Sequence, residues 1–329
     1  MPVSIVICAR NEEENLSNFL PHVLEQDYPD YEVVVVNDCS HDDTDMVLKR
    51  FLQKYKHLKV TTIKKDDKFI HGKKLALTIG IKAAKYDWLL LTDADCKPQG
   101  SEWLASMAQE FHSPNEVVLG YGGYIQENGF LNKLIRFDAF FIAVQYLSFA
   151  LIGKPYMGVG RNLAYKKELF FKNKGFASHA SLTSGDDDLF IHQVAKKSNT
   201  SVIYNKEAQT RSKAQRTFSG WLMQKKRHLT TSPHYKKGVK FLLGLEPLSR
   251  IIFWISGIIL IGIQFYPYII GGLILFRLII MSVILKIAMN RLNERKIFLL
   301  SLLYDLFSPI FYSMLMVANR FKKTKKRWI

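Results

Sequence analysis

Two carboxylates one residue apart, Asp93 and Asp95, follow directly on the apolar run Tyr86-Asp87-Trp88-Leu89-Leu90-Leu91-Thr92. A buried strand ending in Asp-x-Asp sets both at the carboxyl edge of a sheet, where open α/β folds bind ligands. Such a pair repels itself unless a cation lies between. A hard divalent ion gripped by one or two carboxylates completes its shell with phosphate oxygens and water. The expected chemistry is therefore a Mg²⁺ or Mn²⁺ site serving a phosphorylated substrate. Two more acidic groups accompany it. Asn37-Asp38-Cys39-Ser40 closes the β-branched run 31–36, and Ser184-Gly185-Asp186-Asp187-Asp188-Leu189-Phe190 reads as a loop entering a helix. Asp and Asn also favour turns and N-caps, so each cluster alone is ordinary. Their order along the chain is what sets them apart.

The elements that must position these groups divide the chain in two. Residues 1–240 read as a mixed α/β domain rich in Lys and Asp, and residues 241–329 as membrane-anchoring helices with a basic tail. Residues 247–266 and 268–285 are apolar runs close to the length that crosses a bilayer core, interrupted by Arg277. The connector 264–267 carries no charge and 286–296 is basic, which places the N-terminal domain on the cytoplasmic face. A third stretch, 297–318, contains Asp305, Ser308 and Pro309, and reads as bending at Pro309 or lying along the interface. Arg277 and Asp305 are expected to pair or to mark a lipid path. A fourth run, 139–152, has the length of an interfacial or buried helix.

The net charge of +17 permits nucleic acid, acidic-substrate or anionic-membrane partners. No nucleic-acid-binding motif accompanies it, so nucleic acid is not an expected partner. The densest basic segment, 320–327, adjoins the apolar tail and suits anionic headgroups at roughly 1 kcal/mol per residue. Lys225 and Lys226 read as a solvated basic helix face, and the segment 219–223 as interfacial. Cys8, Cys39 and Cys96 form neither a metal spacing nor a disulfide framework. The chain opens on a strand at residues 3–9 and turns acidic at Glu12-Glu13-Glu14, so no signal peptide is expected.

Taken in order, Val3-Ser4-Ile5-Val6-Ile7-Cys8-Ala9-Arg10-Asn11-Glu12-Glu13, Asn37-Asp38-Cys39-Ser40, Gly72-Lys73-Lys74-Leu75-Ala76-Leu77 and Asp93-Ala94-Asp95 resemble the family 2 glycosyltransferases over residues 1–230. Gly160-Arg161-Asn162-Leu163-Ala164-Tyr165 is similar to the family's acceptor-side loop, and the 184–189 segment to its Thr-Glu-Asp-x-Asp-Leu element. Gln224-Lys225-Lys226-Arg227-His228 is similar to the Gln-x-x-Arg-Trp element of membrane-bound members. The resemblance implies an α/β glycosyltransferase-A fold, a nucleotide-sandwich sheet, followed by a C-terminal membrane-helix region. It implies inverting transfer of a sugar from a nucleotide-sugar donor, UDP being usual, to a membrane-associated lipid or lipid-linked acceptor.

By position, the resemblance puts Asp38 on the base and Ala9 and Glu12 near the nucleoside. It puts Asp93 and Asp95 on the metal and diphosphate, with Lys73 beside the nucleotide pocket, and Gln224 and Arg227 on the phosphates. Asp186 is the expected catalytic base. Gly185 stands where the family has Glu, so the register of the following x-Asp-Leu selects Asp186 among the three aspartates. His228 stands where it has Trp, which speaks against a processive polymer synthase and for a layout similar to ceramide glucosyltransferase and its bacterial relatives. A nucleotidyltransferase would share Asp93 and Asp95 but needs a Gly-rich basic loop where Arg10-Asn11-Glu12-Glu13-Glu14 stands. A non-catalytic accessory protein would tolerate loss of the acidic positions, and all of them are filled.

Overall fold

The computed structural model describes residues 1–64 and 72–321. Most of the basic tail singled out above, from residue 322 on, lies outside the described residues. The described chain divides into two compact units, residues 1–125 with 142–214, and residues 126–141 with 215–321.

The first unit is built on a seven-stranded sheet. Its strands are β1 (Val3–Ala9), β2 (Tyr31–Asp38), β3 (Leu58–Ile63), β4 (Trp88–Leu91) and, beyond the short β5 (Cys96–Pro98), β6 (Val117–Leu119). After β7 (Gly122–Tyr124) come β8 (Leu163–Lys166), β9 (Thr200–Val202) and β10 (Thr210–Ser212). The order across the sheet is β3-β2-β1-β4-β8-β6-β9, and β5-β10-β7 make a second, three-stranded sheet. β3, β2, β1 and β4 run parallel, with Ile5 level with Val33 and Leu90, and β8 turns antiparallel between β4 and β6. Parallel strands covered on both faces read as continuous apolar runs, and Val33, Val34, Val35 and Val36 are all fully buried.

Helices α1 (Glu13–Leu24), α2 (Thr44–Lys54) and α3 (Lys73–Ala83) follow the first three strands. The spacing of Leu16, Phe19, Leu20, Val23 and Leu24 gives α1 one buried face. α3 lies so close on β1 and β2 that a Cβ at Gly80 would sit 2.7 Å from Val6 Cγ1, so only glycine permits the approach. α4 (Trp103–Ala108) anchors the loop before β8 through Trp103 Nε1, which donates to Asn162 Oδ1 at 3.1 Å. The division between the units falls inside α5 (Phe130–Leu151). α6 (Lys167–Lys172) and α7 (Asp188–Val194) complete the first unit.

The second unit holds the start of α5 with α8 (Phe218–His228), α9 (Lys237–Gly262), α10 (Pro267–Arg291) and α11 (Leu300–Phe321). Four helices among the described residues are long and apolar enough to cross a membrane: α5, α9, α10 and residues 300–318 of α11. Arg277 Nη2 donates to Asp305 Oδ1 at 3.0 Å, Trp254 Nε1 to Asp305 Oδ2 at 3.0 Å, and Arg250 Nη1 to Ser308 Oγ at 3.0 Å. The expected Arg277–Asp305 pair is thus present and joins α10 to α11, while Trp254 and Arg250 tie in α9.

Several sequence-based expectations change here. α9 starts at Lys237 and runs through Pro247, ten residues before the apolar run begins. α11 likewise continues through Pro309 without turning back. α5 has 22 residues, since it starts before the fourteen-residue run. Lys225 is buried and pairs with Asp138, so it is no solvated surface lysine. Trp221 is also buried, its ring stacked on Phe311 at 5.5 Å.

Candidate active site

The carboxyl ends of β1, β2 and β4 converge with the acidic loop before α7. Ala9 ends β1, Asp38 ends β2, and both are fully buried. Asn11 and Cys39 take left-handed conformations, φ 55° and 54°, which turn both loops sharply off the sheet. Side chains lock these loops together: Asn11 N donates to Ser40 Oγ at 3.0 Å, Glu12 N to Thr44 Oγ1 at 2.9 Å, and His41 N to Asn11 Oδ1 at 2.8 Å. Burial pushes the Glu12 carboxyl up to about 7, against a hydrogen bond from Asn15 and with the help of Asp95 and Asp93. That electrostatic coupling places Glu12 in the same field as the aspartate pair.

Lys73, the first residue of α3, is the centre of the site. Its Nζ lies 2.7 Å from Asp93 Oδ1 and 3.2 Å from Asp186 Oδ2, so one ammonium joins the end of β4 to the acidic loop. Burial alone would lower its pKa. Asp186, Asp93 and Asp187 outweigh that and hold it well above the ordinary lysine range. Cys8, deep on β1, feels Lys73, Asp93, Asp186 and Asp38, and burial pushes its thiol up so that it stays protonated.

Asp95 accepts from Ser212 Oγ at 2.8 Å, and burial followed by the neighbouring Asp93 raises its pKa. Carboxylate oxygens of Asp93 and Asp95 and the Cys96 sulfur lie within 4.8 Å of one another. Burial keeps the Cys96 thiol protonated, which makes it a poor metal ligand. The remaining donors are hard oxygens on a strained like-charge pair, and that set fits Mg²⁺ or Mn²⁺.

The acidic loop divides labour among its three aspartates. Asp187 caps α7, its Oδ1 accepting from the Asp188 amide at 2.8 Å, while Oδ2 accepts from Gly160 N at 2.9 Å. Asp188 Oδ1 accepts from Leu189 N at 2.8 Å. Asp186 is the one that faces Lys73. Burial, then Asp186 and Asp188, push Asp187 up to about 7. Lys74 braces the loop, its Nζ donating to the carbonyls of His179 and Leu182 at 2.6 and 2.9 Å.

Arg161, which the sequence placed in the acceptor-side loop without a role of its own, is a further charged member. Its guanidinium lies 4.3 Å from the Tyr124 ring centroid, and its carbonyl accepts from Thr92 Oγ1 and Thr210 Oγ1. Burial alone would lower its pKa, but Tyr124, Cys96, Asp95 and Asp93 raise it. Ser212 was missed, because a serine on a three-residue strand carries no signal of its own. Ala9, Glu12, Asp38, Lys73, Asp93, Asp95 and Asp186 all belong to the first unit; Gln224 and Arg227 lie on α8 in the second.

Comparisons with known proteins agree with this architecture. A stretch of 98 residues is 32% identical to poly-beta-1,6-N-acetyl-D-glucosamine synthase of Staphylococcus epidermidis, covering 28% of this chain and 21% of that protein. Another of 104 residues is 34% identical to glycosyltransferase AglE of Haloferax volcanii, covering 31% of this chain and 33% of that protein. The matched stretch thus spans about a fifth of the synthase and a third of AglE. In three dimensions the chain is similar to the mannosyltransferase PcManGT from Pyrobaculum calidifontis, solved in complex with GDP-Man and Mn²⁺. The TM-score is 0.58 at 16% identity, with 93% of this chain and 87% of that one aligned, a likeness of glycosyltransferase-A folds. Residues 4–174, just over half of the length, match the profile of glycosyl transferase family 2. The chain belongs to that family.

Proposed function

We propose that the protein moves a sugar from a UDP-linked donor to the hydroxyl of a membrane-associated lipid or lipid-linked glycan, by direct displacement with inversion. The observation that carries this reading is the Lys73 bridge, which holds Asp93 of the Asp-x-Asp pair and Asp186 around one ammonium. Asp93 and Asp95 would hold a divalent cation, which neutralises charge on the departing diphosphate when bound. The GDP-Man and Mn²⁺ in the mannosyltransferase of similar fold support a nucleotide sugar and such a cation. Ala9, Glu12 and Asp38 form the nucleoside side, with the buried Asp38 carboxylate directed to the base. The family resemblance assigns Gln224 and Arg227, three residues apart on α8, to the diphosphate, and Arg227's planar fork suits a pair of phosphate oxygens.

Asp186 is the base in this reading. It takes the proton of the acceptor hydroxyl as the oxygen attacks the anomeric carbon and the bond to the diphosphate breaks. Lys73 belongs to the donor pocket, where a diphosphate draws its ammonium away from Asp186 and leaves that carboxylate to accept a proton. Asp187 and Asp188, committed to backbone amides, hold the loop in place.

The basic residues Lys286, Arg291, Arg295 and Lys296 against the uncharged turn at 264–267 support a catalytic domain, residues 1–240, on the cytoplasmic face, anchored by residues 241–329.

Nucleotide release in purified membranes, with Mg²⁺ or Mn²⁺ and lipid extract, tests the reading across a panel of nucleotide sugars. Metal-dependent release from one donor is expected, reduced by about 10²–10⁴-fold in Asp186→Asn, as for loss of a general base, and lost in Asp93→Asn. Release unchanged by both substitutions would sink it.

A further inference from the structure

We propose that a cavity in the second unit, bounded by α5, α8 and α11, seats one hydrocarbon chain of the acceptor lipid; this rests on the transfer reading above. The cavity has a volume of about 280 Å³. A dry apolar cavity of about 150 Å³ already takes up a benzene-sized guest, so this one has room for a run of methylenes. Its walls are Phe130 and Leu134 from α5, Phe218 and Trp221 from α8, and Leu303 and Phe307 from α11. Asp138 also borders it, but its carboxylate is engaged by Lys225, Tyr304 and Tyr312, which leaves the wall without an unsatisfied charge.

Three observations select a lipid chain as the occupant. α5 and α11 are both apolar enough to cross a membrane, so two of the three walls belong to elements suited to hydrocarbon surroundings. The rim residues Phe130, Phe218, Leu303 and Phe307 are each more than half exposed, so the cavity opens outward. Trp221 is 3% exposed, yet its Nε1–H has no hydrogen-bond partner among the described residues. A buried indole N–H ordinarily finds an acceptor, and an ester or hydroxyl oxygen at the head of a lipid chain supplies one. Arg227 follows Trp221 by six residues, about 9 Å along α8 at 1.5 Å per residue. A lipid whose chain fills the cavity and whose first oxygen meets Trp221 therefore presents its head beside the helix that carries Gln224 and Arg227.

Photolabelling of the full-length protein in phosphatidylcholine nanodiscs tests this in two arms. One probe is a diacylglycerol with a mid-chain diazirine, the other a diazirine polyprenol, each with and without excess unlabelled lipid. Competable adducts are expected on peptides containing residues 130–134, 218–221 and 303–307, and the arm that labels identifies the chain as acyl or isoprenoid. Leu303→Trp, which fills the cavity from its exposed rim, should abolish these adducts. Trp221→Phe keeps the ring and removes the donor. It should raise KM for the lipid acceptor by about threefold to tenfold, the size of one hydrogen bond, and leave the donor KM unchanged. Adducts confined to α9 and α10 in both arms, or unaltered by Leu303→Trp, would overturn the proposal. Cavity adducts in a preparation that releases no nucleotide from any donor would overturn the transfer reading and leave the chain site standing.

Discussion

At Gly185 the backbone takes φ +102°, and an added Cβ would lie 2.7 Å from Leu189 Cδ1. Both facts oppose a side chain, so the glutamate usual in the family has no place in this loop. Gly185→Glu should destabilise the chain by about 1–3 kcal/mol, the range for a non-glycine residue forced into a sparsely populated conformation. It should also lower turnover by displacing Asp186; a gain in activity would show that the loop is misread. Glu32 is a second position where one side chain matters. Its carboxylate accepts from Ser4 Oγ at 2.6 Å and from the Lys85 amide, and pairs with Lys59 at 2.7 Å. Burial alone would raise its pKa, but the bonds from Lys59, Ser4 and Lys85 outweigh it and hold it below the usual range. A lowered pKa in the folded state means stability present above the unfolded value of about 4.3. That stability is lost as pH falls through the lowered folded value. Glu32→Gln should cost about 1–3 kcal/mol at pH 7 and flatten this acid limb. Thermal unfolding at pH 7 and pH 4 measures both.

Among elements, α8 and the start of α5 are joined by the buried Asp138, which holds Lys225 and accepts from Tyr304 Oη at 2.7 Å and from Tyr312. Asp138→Ala removes the carboxylate that pairs with the buried Lys225, and breaking a buried pair typically costs about 3–5 kcal/mol. Asp138→Asn, which keeps an acceptor for the tyrosines, should cost less. Thermal unfolding in detergent decides this, and a loss below about 1 kcal/mol for the alanine variant would mean that Lys225 reaches water. The same pair explains what the sequence could and could not disclose. The parallel strands and the Asp-x-Asp edge were legible because their signal is local: a β-branched run followed by acids. The start of α5 was not, because Arg136 and Asp138 interrupt its apolar pattern. Their partners, Glu294 at 2.6 Å from Arg136 and Lys225 on α8, lie about 90 to 160 residues away. Local hydropathy treats such charges as solvated. Pro247 and Pro309 misled for a related reason: both sit inside helices whose neighbours supply the packing, as membrane-type helices allow. The Asp186 loop was found, but the division of labour within it rests on the Gly160 amide and on Lys73, which only the fold brings near.

At the scale of the molecule, α9 and α10 carry large apolar side chains outward along their length, including Ile258, Ile259, Leu273, Phe276 and Ile280. Monomeric soluble proteins rarely expose patches beyond a few hundred Å², so these helices require an apolar medium. Apart from the Glu246–Arg250 pair and Arg277, their charges lie towards the ends: Lys237 and Lys240 start α9, and Lys286 and Arg291 end α10, while the turn between carries none. Moving Lys286 and Arg291 into a bilayer centre would cost about 2.5–3.5 kcal/mol each on insertion scales. In the proposed orientation the basic ends of the hairpin lie on one face of the membrane and the 264–267 turn on the other. Arg277, in mid-helix, escapes that cost through Asp305 at 3.0 Å. Single cysteines introduced as Gln264→Cys and Asn293→Cys, in a background with Cys8, Cys39 and Cys96 replaced by serine, read the orientation directly. An impermeant maleimide should label residue 264 in intact cells and residue 293 only after permeabilisation. The reverse pattern would place the nucleotide-sugar site outside, away from the cytoplasmic donor pool that the proposed reaction requires, and would force a different donor into the mechanism.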